Sequence, residues 1–265
     1  MILARKIPLR FDPERLRDDL GRIAASDWTP HFNTREYDGD WSGVALRASA
    51  KAVAGGALVA GLNMGSEFVD TPVLDRCPYL REILAVFRCP IKSARLLKLG
   101  PGASIREHRD YDLGLDDGEA RVHIPVVTNP SVEFLLEGRR VVMNEGEAWY
   151  LELNRRHSVR NRGKTDRVHL VVDCIADDWF RTQLSEGEEA PTSTDAPALR
   201  GFDQFREMVL QDLSLQTALA STTDRAAFNA LVERLGQERS FEFNASDVED
   251  ALRAARRSWI ERGIR

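Results

Sequence analysis

The run Leu96-Leu97-Lys98-Leu99-Gly100-Pro101-Gly102-Ala103-Ser104-Ile105-Arg106-Glu107-His108-Arg109-Asp110 decides how this chain is read. A short apolar segment stops at Gly100-Pro101-Gly102 and a second short segment starts beyond it, the pattern of strand, tight turn, strand. The same texture continues to Cys174. Residues 94–99, 105–110, 121–127, 132–136, 140–143, 147–153, 158–161 and 167–174 read as strands, separated by turn formers such as Glu137-Gly138 and Asn144-Glu145-Gly146. About eight short strands at a spacing of roughly 8–12 residues predict a closed or double-layered antiparallel structure, a barrel or jelly roll.

On the N-terminal side, Asp12-Pro13 is a helix start, since Asp caps free N–H groups and Pro fits the first helical position. Leu16, Leu20 and Ile23 at helical spacing carry that helix over 13–25. Residues 41–46 read as a strand, and Gly55-Gly56 and Gly61 interrupt the apolar runs after it. Pro78 opens a second short helix with Leu80, Ile83, Leu84 and Phe87 as its buried stripe. On the C-terminal side, residues 184–199 are acidic, polar and broken by prolines, a linker composition. Beyond them Phe228, Leu231, Val232 and Leu235 form one helical stripe, and Val248, Leu252, Ala255 and Trp259 form another, begun by a capping box from Ser246 to Glu249. The expected organisation is a mainly β domain over 1–183 with flanking N-terminal helices, a linker over 184–199, and a small α-helical domain over 200–265.

Hydrophobic residues make up 43% and charged residues 30% of the chain, an ordinary globular balance. The 37 basic and 42 acidic residues sum to −5, which offers nucleic acid no bulk attraction. No apolar run approaches the roughly 20 residues that span a bilayer, and the N-terminus lacks a signal-peptide core. Neither nucleic acid nor a membrane is therefore an expected partner. Cys77, Cys89 and Cys174 are odd in number and lack metal-type spacing, so they read as reduced thiols in a cytoplasmic protein.

Side chains alternate faces along a strand, so His108 and Asp110 point the same way while Arg109 turns aside. His157, on a later run, is a third candidate ligand. His123 and His169 compete with it for that position, and His169 reads equally as a hydrogen-bonded core residue. Two His and one carboxylate on one face of a metal, with other positions open, is the arrangement of non-haem Fe(II) oxygenases. His-x-Asp by itself occurs often by chance; joined to a distal His and to Arg167 it becomes fairly specific. The fork of donors on Arg167 suits two-point binding of a carboxylate, and a buried guanidinium needs such an anion to offset its desolvation. A dicarboxylate cosubstrate would reach from the metal to this Arg. Trp41 and Arg47 on the early strand are candidate walls of the substrate pocket, whereas His31, in a polar loop, carries no expected role. A cupin-like protein that binds a metal or small acid without turnover would share the His-x-Asp…His pattern, and Arg167 is the discriminating feature, since a bare metal binder does not need it. A metal-dependent hydrolase is disfavoured, because no further carboxylate or His is placed as general base.

The segments Gly39-Asp40-Trp41-Ser42, 101–110, Arg121-Val122-His123-Ile124, and the run from Gly146 through His157 to 167–173 resemble the aspartyl/asparaginyl β-hydroxylase family. The likeness is nearest to its bacterial branch, which includes hydroxylases of free proline, and it is specific over residues 95–175. It implies a double-stranded β-helix (jelly roll, cupin-like) with Fe(II), 2-oxoglutarate and O₂, and ascorbate as the reductant in an assay. The implied reaction hydroxylates an unactivated C–H of an amino acid, or of an Asp-, Asn- or Pro-type residue in a peptide or protein. By the same match His108, Asp110 and His157 are iron ligands and Arg167 binds the distal carboxylate of 2-oxoglutarate. His123 contacts the cosubstrate's metal-side carboxylate, and Arg121 contacts a substrate carboxylate. Some animal members that act on protein side chains lack the carboxylate ligand. Asp110 puts this chain with the full-triad bacterial type and weakens the case for an epidermal-growth-factor-like domain as substrate. Leu97 stands where those members have a polar cosubstrate contact. The tail faintly resembles the leader-peptide domain associated with nitrogen-fixation clusters and ribosomal natural products, from Phe205 through Asp212-Leu213 to Phe228, Leu231 and Phe243. That likeness implies peptide or protein docking through residues 200–265.

Overall fold

Segments that read as continuous apolar runs are strands covered on both faces. The computed structural model describes residues 3–55, 67–111, 113–189, 197–222, 224–241, 243–245, 247, 248 and 252. Its strands are β1 (Ala4–Arg10), β2 (Thr29–Pro30), β3 (Tyr37–Asp38), β4 (Trp41–Ser49), β5 (Phe68–Asp70), β6 (Ile91–Leu99) and β7 (Ser104–His108). They continue with β8 (Glu119–Val127), β9 (Val132–Leu136), β10 (Arg139–Arg140), β11 (Glu147–Leu151), β12 (His157–Asn161), β13 (Arg167–Ile175) and β14 (Glu188–Glu189). From β6 onward, consecutive long strands alternate between two antiparallel sheets. The larger runs β14-β1-β11-β8-β13-β6-β4-β2 with β5 on β4, and the smaller runs β10-β9-β12-β7-β3. This switching between layers is the double-stranded β-helix, or jelly roll, that the resemblance implied.

The period-two alternation sends each face of the larger sheet to a different core. Val168, Leu170, Val172 and Cys174 of β13, with Leu96 of β6 and Val122 and Ile124 of β8, pack against a helical layer. Of α1 (Pro13–Leu20), α2 (Ala50–Gly55), α3 (Pro72–Asp75), α4 (Pro78–Val86) and α5 (Asp178–Glu186), all but α2 form that layer, while Val53 of α2 packs on Ala45 and Ala48 of β4. A second core of Trp41, Leu99, Ile105, Phe134, Trp149, Leu151 and Val159 joins residues of both sheets. Asp12 caps α1 through bonds from the N–H groups of Glu14 and Arg15, as its sequence predicts. Asp19, inside α1, accepts the Leu80 N–H at 2.8 Å and so ties α1 to the start of α4.

Several boundaries differ from the sequence reading. The first helix stops at Leu20, before Gly21, and a short 3-10 turn at Ala25–Asp27 replaces its expected last turn. The strand expected over 140–143 is reduced to Arg139–Arg140. β1 escaped detection because its outward face is charged, and it pairs along β11. The expected linker begins too early. α5 runs to Glu186, and Glu188 and Glu189 pair with Lys6 and Arg5 of β1.

The chain divides into two compact units, Met1–Thr192 and Ser193–Arg265. In the second, α6 (Pro197–Gln211), α7 (Leu213–Ala220) and α8 (Arg225–Gln237) surround their own core, which includes Phe205, Leu215, Val232 and Phe243. Gly56 and Gly61, the expected Ser246–Glu249 cap, and Ala255 and Trp259 of the last stripe lie outside the described residues. A reciprocal cap is present two residues earlier. The Asn244 N–H donates to Asp247 at 2.9 Å, and the Asp247 N–H donates to Asn244 at 3.2 Å. Among the described residues no helix is long and apolar enough to cross a membrane.

Gly146 enters β11 at φ +76°, where an added Cβ would lie 2.1 Å from the Phe11 carbonyl oxygen. That carbonyl belongs to the backbone that closes β1 onto this turn, so it has little room to give. Gly146→Ala is expected to lower stability by about 2–3 kcal/mol, seen as a lower urea midpoint at unchanged m. A midpoint equal to wild type would contradict this account.

Candidate active site

The pairing of β7 with β12 sets His108 directly opposite His157, with ring centroids 4.2 Å apart. His108 Nδ1 lies 2.8 Å from the Arg106 carbonyl oxygen, and His157 Nδ1 lies 3.0 Å from that of Arg155. Donation from Nδ1–H to these carbonyls selects the tautomer that leaves both Nε2 atoms free for a metal. Asp110 lies past the end of β7, so strand alternation does not aim it. Its N–H donates to Leu153 O at 2.9 Å, and its carboxylate accepts from Arg121. Asp110 Oδ1 stands 3.5 Å from His108 Nε2, and one ligand atom from each of the three residues falls within 4.8 Å of the others.

Electrostatics favour the ligand state of Asp110 and of His157. Burial pushes the Asp110 carboxyl pKa up, but its charged neighbours, Arg121 first among them, outweigh it and hold it below the usual range. Burial, then His108, pushes His157 down to about 4, so its imidazole is neutral at neutral pH, as metal binding requires.

Behind Asp110 lies a buried ionic cluster set by strand register. Asp173 of β13 is opposite Arg121 on β8 and opposite Ser93 on β6. Arg121 donates from Nε and Nη2 to Asp173 at 2.6 and 2.9 Å, and from Nη1 to Asp110. Arg95 donates from Nη1 to Asp173 at 2.8 Å and to Ser93 Oγ at 3.0 Å. Burial would raise the Asp173 carboxyl pKa, yet Arg121 and Arg95 outweigh it and hold it far below the usual range. Each nitrogen of the Arg121 guanidinium already donates to a protein carboxylate. The geometry therefore makes Arg121 a holder of Asp110, where the sequence reading had it contact a substrate carboxylate.

Arg167 is different. It is 2% exposed and lines the cavity that holds the three candidate ligands. Its Nη2 donates to His169 Nδ1 at 2.9 Å, its Nε has no partner, and no carboxylate pairs with it among the described residues. Burial alone pushes its pKa down to about 9. His169 is thus a hydrogen-bonded core residue and does not join the metal set. His123 Nδ1 lies 3.4 Å from His169 Nδ1, and its Nε2 is buried without a partner. Burial first and Arg167 second push both imidazoles well below their usual value.

The cavity measures about 500 Å³, and Trp41, Leu97, His123 and Phe134 also line it. Arg47 does not. It donates from Nη1 to Asp70 at 2.7 Å and from Nε to the Ile91 carbonyl at 3.1 Å. The register of β4 on β6 slips between Ala45 and Arg47, so Trp41 pairs with Leu99 but Arg47 pairs with Ala94. This bulge turns Arg47 to the opposite face from Trp41. Among the cavity residues to which the sequence gives no expected role are Arg95 and His31. Arg95 shares the inner face of β6 with Ser93 and Leu97, an alternation hidden in an otherwise apolar run. His31 stacks on Trp41 with centroids 3.5 Å apart and planes 13° apart. Burial, then Arg95, pushes its pKa down to about 4.

Removing Asp173 leaves two buried guanidinium groups without their shared anion. Asp173→Leu is expected to cost about 3–5 kcal/mol at neutral pH. Since the fold depresses this carboxyl, its contribution is present above the unfolded pKa of 3.8 and is lost as pH falls below it. Urea unfolding at pH 7 and pH 3 should therefore show a smaller wild-type advantage at the lower pH. An equal advantage at both would refute the assignment.

The aspartyl/asparaginyl beta-hydroxylase family matches residues 11–177. The L-proline cis-4-hydroxylase of Rhizobium meliloti is 28% identical over 189 residues, covering 71% of this chain and 66% of that protein's length, just under two thirds. Among solved structures, an oxidoreductase of the 2OG-Fe(II) oxygenase family from Burkholderia pseudomallei is similar at 16% identity and TM-score 0.41, covering 62% of this chain and 79% of that one. A Cupin 2 conserved barrel domain protein from Salinispora arenicola is similar at 20% identity and TM-score 0.25, covering 37% and 73%. With a family match over more than half its length and the His-Asp-His group placed as described, the chain belongs to the aspartyl/asparaginyl β-hydroxylase family.

Proposed function

We propose that this protein is an Fe(II)- and 2-oxoglutarate-dependent hydroxylase acting on an unactivated C–H bond of an amino acid, or of an amino-acid residue in a larger chain. The observation that carries the reading is Arg167, a buried guanidinium without a carboxylate, in the same cavity as His108, Asp110 and His157. The donor set fits ferrous iron, since two imidazoles and one carboxylate leave coordination positions open. The unpaired Arg167 fits the far carboxylate of a dicarboxylate cosubstrate. A bare metal binder would leave Arg167 with an uncompensated desolvation cost. The activity of the Rhizobium meliloti relative, named as a proline hydroxylase, points the same way.

Bound iron with 2-oxoglutarate and O₂ would supply the oxidising power, and the protein supplies orientation and exclusion of water. His108 and His157 would hold the metal through Nε2, with their Nδ1–H groups kept on the Arg106 and Arg155 carbonyls. Arg121 keeps the Asp110 carboxylate ionised and aimed. His123, its Nε2 unpartnered, would meet the cosubstrate near its metal-side carboxylate.

Charge balance at the inner end of the cavity then points to the substrate. A divalent ion with Arg95, Arg121 and Arg167 brings five positive charges against the two of Asp110 and Asp173. A dianionic cosubstrate leaves one positive charge over, which a carboxylate on the substrate would neutralise. Arg95 is the group to receive it, because its Nε and Nη2 make no hydrogen bond among the described residues.

In the same reading, three free and buried cysteines support a reducing compartment such as the cytoplasm. The exposed Leu210 and Leu213 of the helical unit support its use in docking a peptide or protein.

With Fe(II) and ascorbate in air, wild-type protein should convert 2-oxoglutarate to succinate, and His108→Ala or Asp110→Ala should abolish it. Arg167→Leu should raise the KM for 2-oxoglutarate at least about tenfold while metal affinity stays within about twofold. Parallel loss of metal and cosubstrate affinity would remove Arg167 from its assigned role. Arg95→Leu should raise the KM for the acid substrate more than that for 2-oxoglutarate.

A further inference from the structure

Three rings form a stacked ladder from the interior of the cavity to its rim. Trp41, 6% exposed, is innermost. His31 stacks on it, and Phe32 stacks on His31 with centroids 4.7 Å and planes 29° apart. Tyr37 meets both His31 and Trp41 edge-on. The backbone locks the ladder in place: the His31 N–H donates to Trp41 O at 2.8 Å, and the Tyr37 hydroxyl donates to His31 O at 3.3 Å. The strip is also uncharged at neutral pH, because burial, then Arg95, keeps the His31 imidazole unprotonated.

The outer end of this ladder lies in water. Phe32 is 63% exposed, and Tyr111, from the loop that follows Asp110, is 81% exposed. Among the described residues, these are the two exposed large apolar side chains that line the cavity. A free amino acid held between the metal ligands and Arg95 would fill the inner end and leave both rings solvated. A chain that continued outward would cover them, and removing exposed aromatic surface from water contributes binding energy. Among the described residues that line the cavity, Glu36 and Arg109, one of each sign, are the charged ones outside the group of ligands and inner arginines. That environment suits a neutral backbone with an apolar side chain better than a phosphate or a polyamine.

We propose that the substrate is a peptide whose C-terminal residue enters the cavity with its carboxylate on Arg95, while an apolar preceding residue lies along His31 and Phe32 beneath Tyr111. Phe32 and Tyr111 are then specificity residues that select a chain over the free amino acid. The inference rests on the oxygenase reading above and adds the substrate class.

The test uses full-length protein loaded with Mn(II) and 2-oxoglutarate, which binds without turning over. Calorimetry compares each Phe-Xaa dipeptide with its free amino acid Xaa, beginning with Phe-Pro and L-proline. For the residue that the cavity accepts, the dipeptide should bind about tenfold more tightly than the free amino acid. That ratio should fall below about threefold in Phe32→Ala and in Tyr111→Ala. Both side chains are exposed and the readout is a ratio within one protein, so any general loss of folded protein cancels. The inference is overturned if no dipeptide binds more tightly than its free amino acid, or if the advantage survives both substitutions. Failure of the loaded protein to retain 2-oxoglutarate would instead bring down the oxygenase reading, and this inference with it. Retention of 2-oxoglutarate without a dipeptide advantage would sink the peptide substrate alone.

Discussion

One fully buried carboxylate, Asp173, organises the polar half of this molecule. It sits on the central strand of the larger sheet and faces Arg121 on one neighbouring strand and Ser93 and Arg95 on the other. Burying a carboxylate is costly, and two guanidinium groups with a hydroxyl donor offset that cost in a setting where the charges attract strongly. Such clusters are weak evidence for stability, since a well-packed apolar replacement is often as stable. This one serves the site. Asp173 fixes the plane of Arg121, and Arg121 in turn holds Asp110, which has no strand of its own to aim it.

The jelly roll divides the labour between its layers. The smaller sheet delivers His108 and His157 as a cross-strand pair, and the larger delivers Arg95, Arg121, His123 and Arg167 from the inner faces of three adjacent strands. Cationic groups thus face the His108, Asp110 and His157 cluster across one cavity. Where a guanidinium has a protein carboxylate it acts as scaffold, as Arg121 does. Among the described residues Arg167 has none, so its charge is open to an anion from outside. The difference between the two is a matter of which residue register places opposite each, since both sit on inward faces of the same sheet.

The other face of that sheet explains why the strands are so apolar in sequence. Val168, Leu170, Val172 and Cys174 feed a helical layer that the cavity never reaches. The layer holds the sheet rigid from behind, which lets polar residues stand on its inner face without collapse of the cavity. α1 and α4 are joined there through Asp19, whose carboxylate serves as a cap for a helix other than its own.

Much of this was legible without coordinates. Period-two alternation and regular turns point to an antiparallel fold, a barrel or a jelly roll, without deciding between them, and the residue types at His108, Asp110, His157 and Arg167 indicate what chemistry they suit. Tertiary structure alone decided the rest. A single bulge between Ala45 and Arg47 reversed the face of Arg47, and a bulge leaves little trace in composition. Arg121 became a holder instead of a free contact because Asp173 lies across from it in a register that no single strand encodes. His31 entered the cavity from a polar loop by stacking on a distant strand. Local sequence determines which face a residue takes within its own strand; which strand lies opposite, and therefore which charges are neutralised and which remain free to bind, is settled only when the sheets assemble.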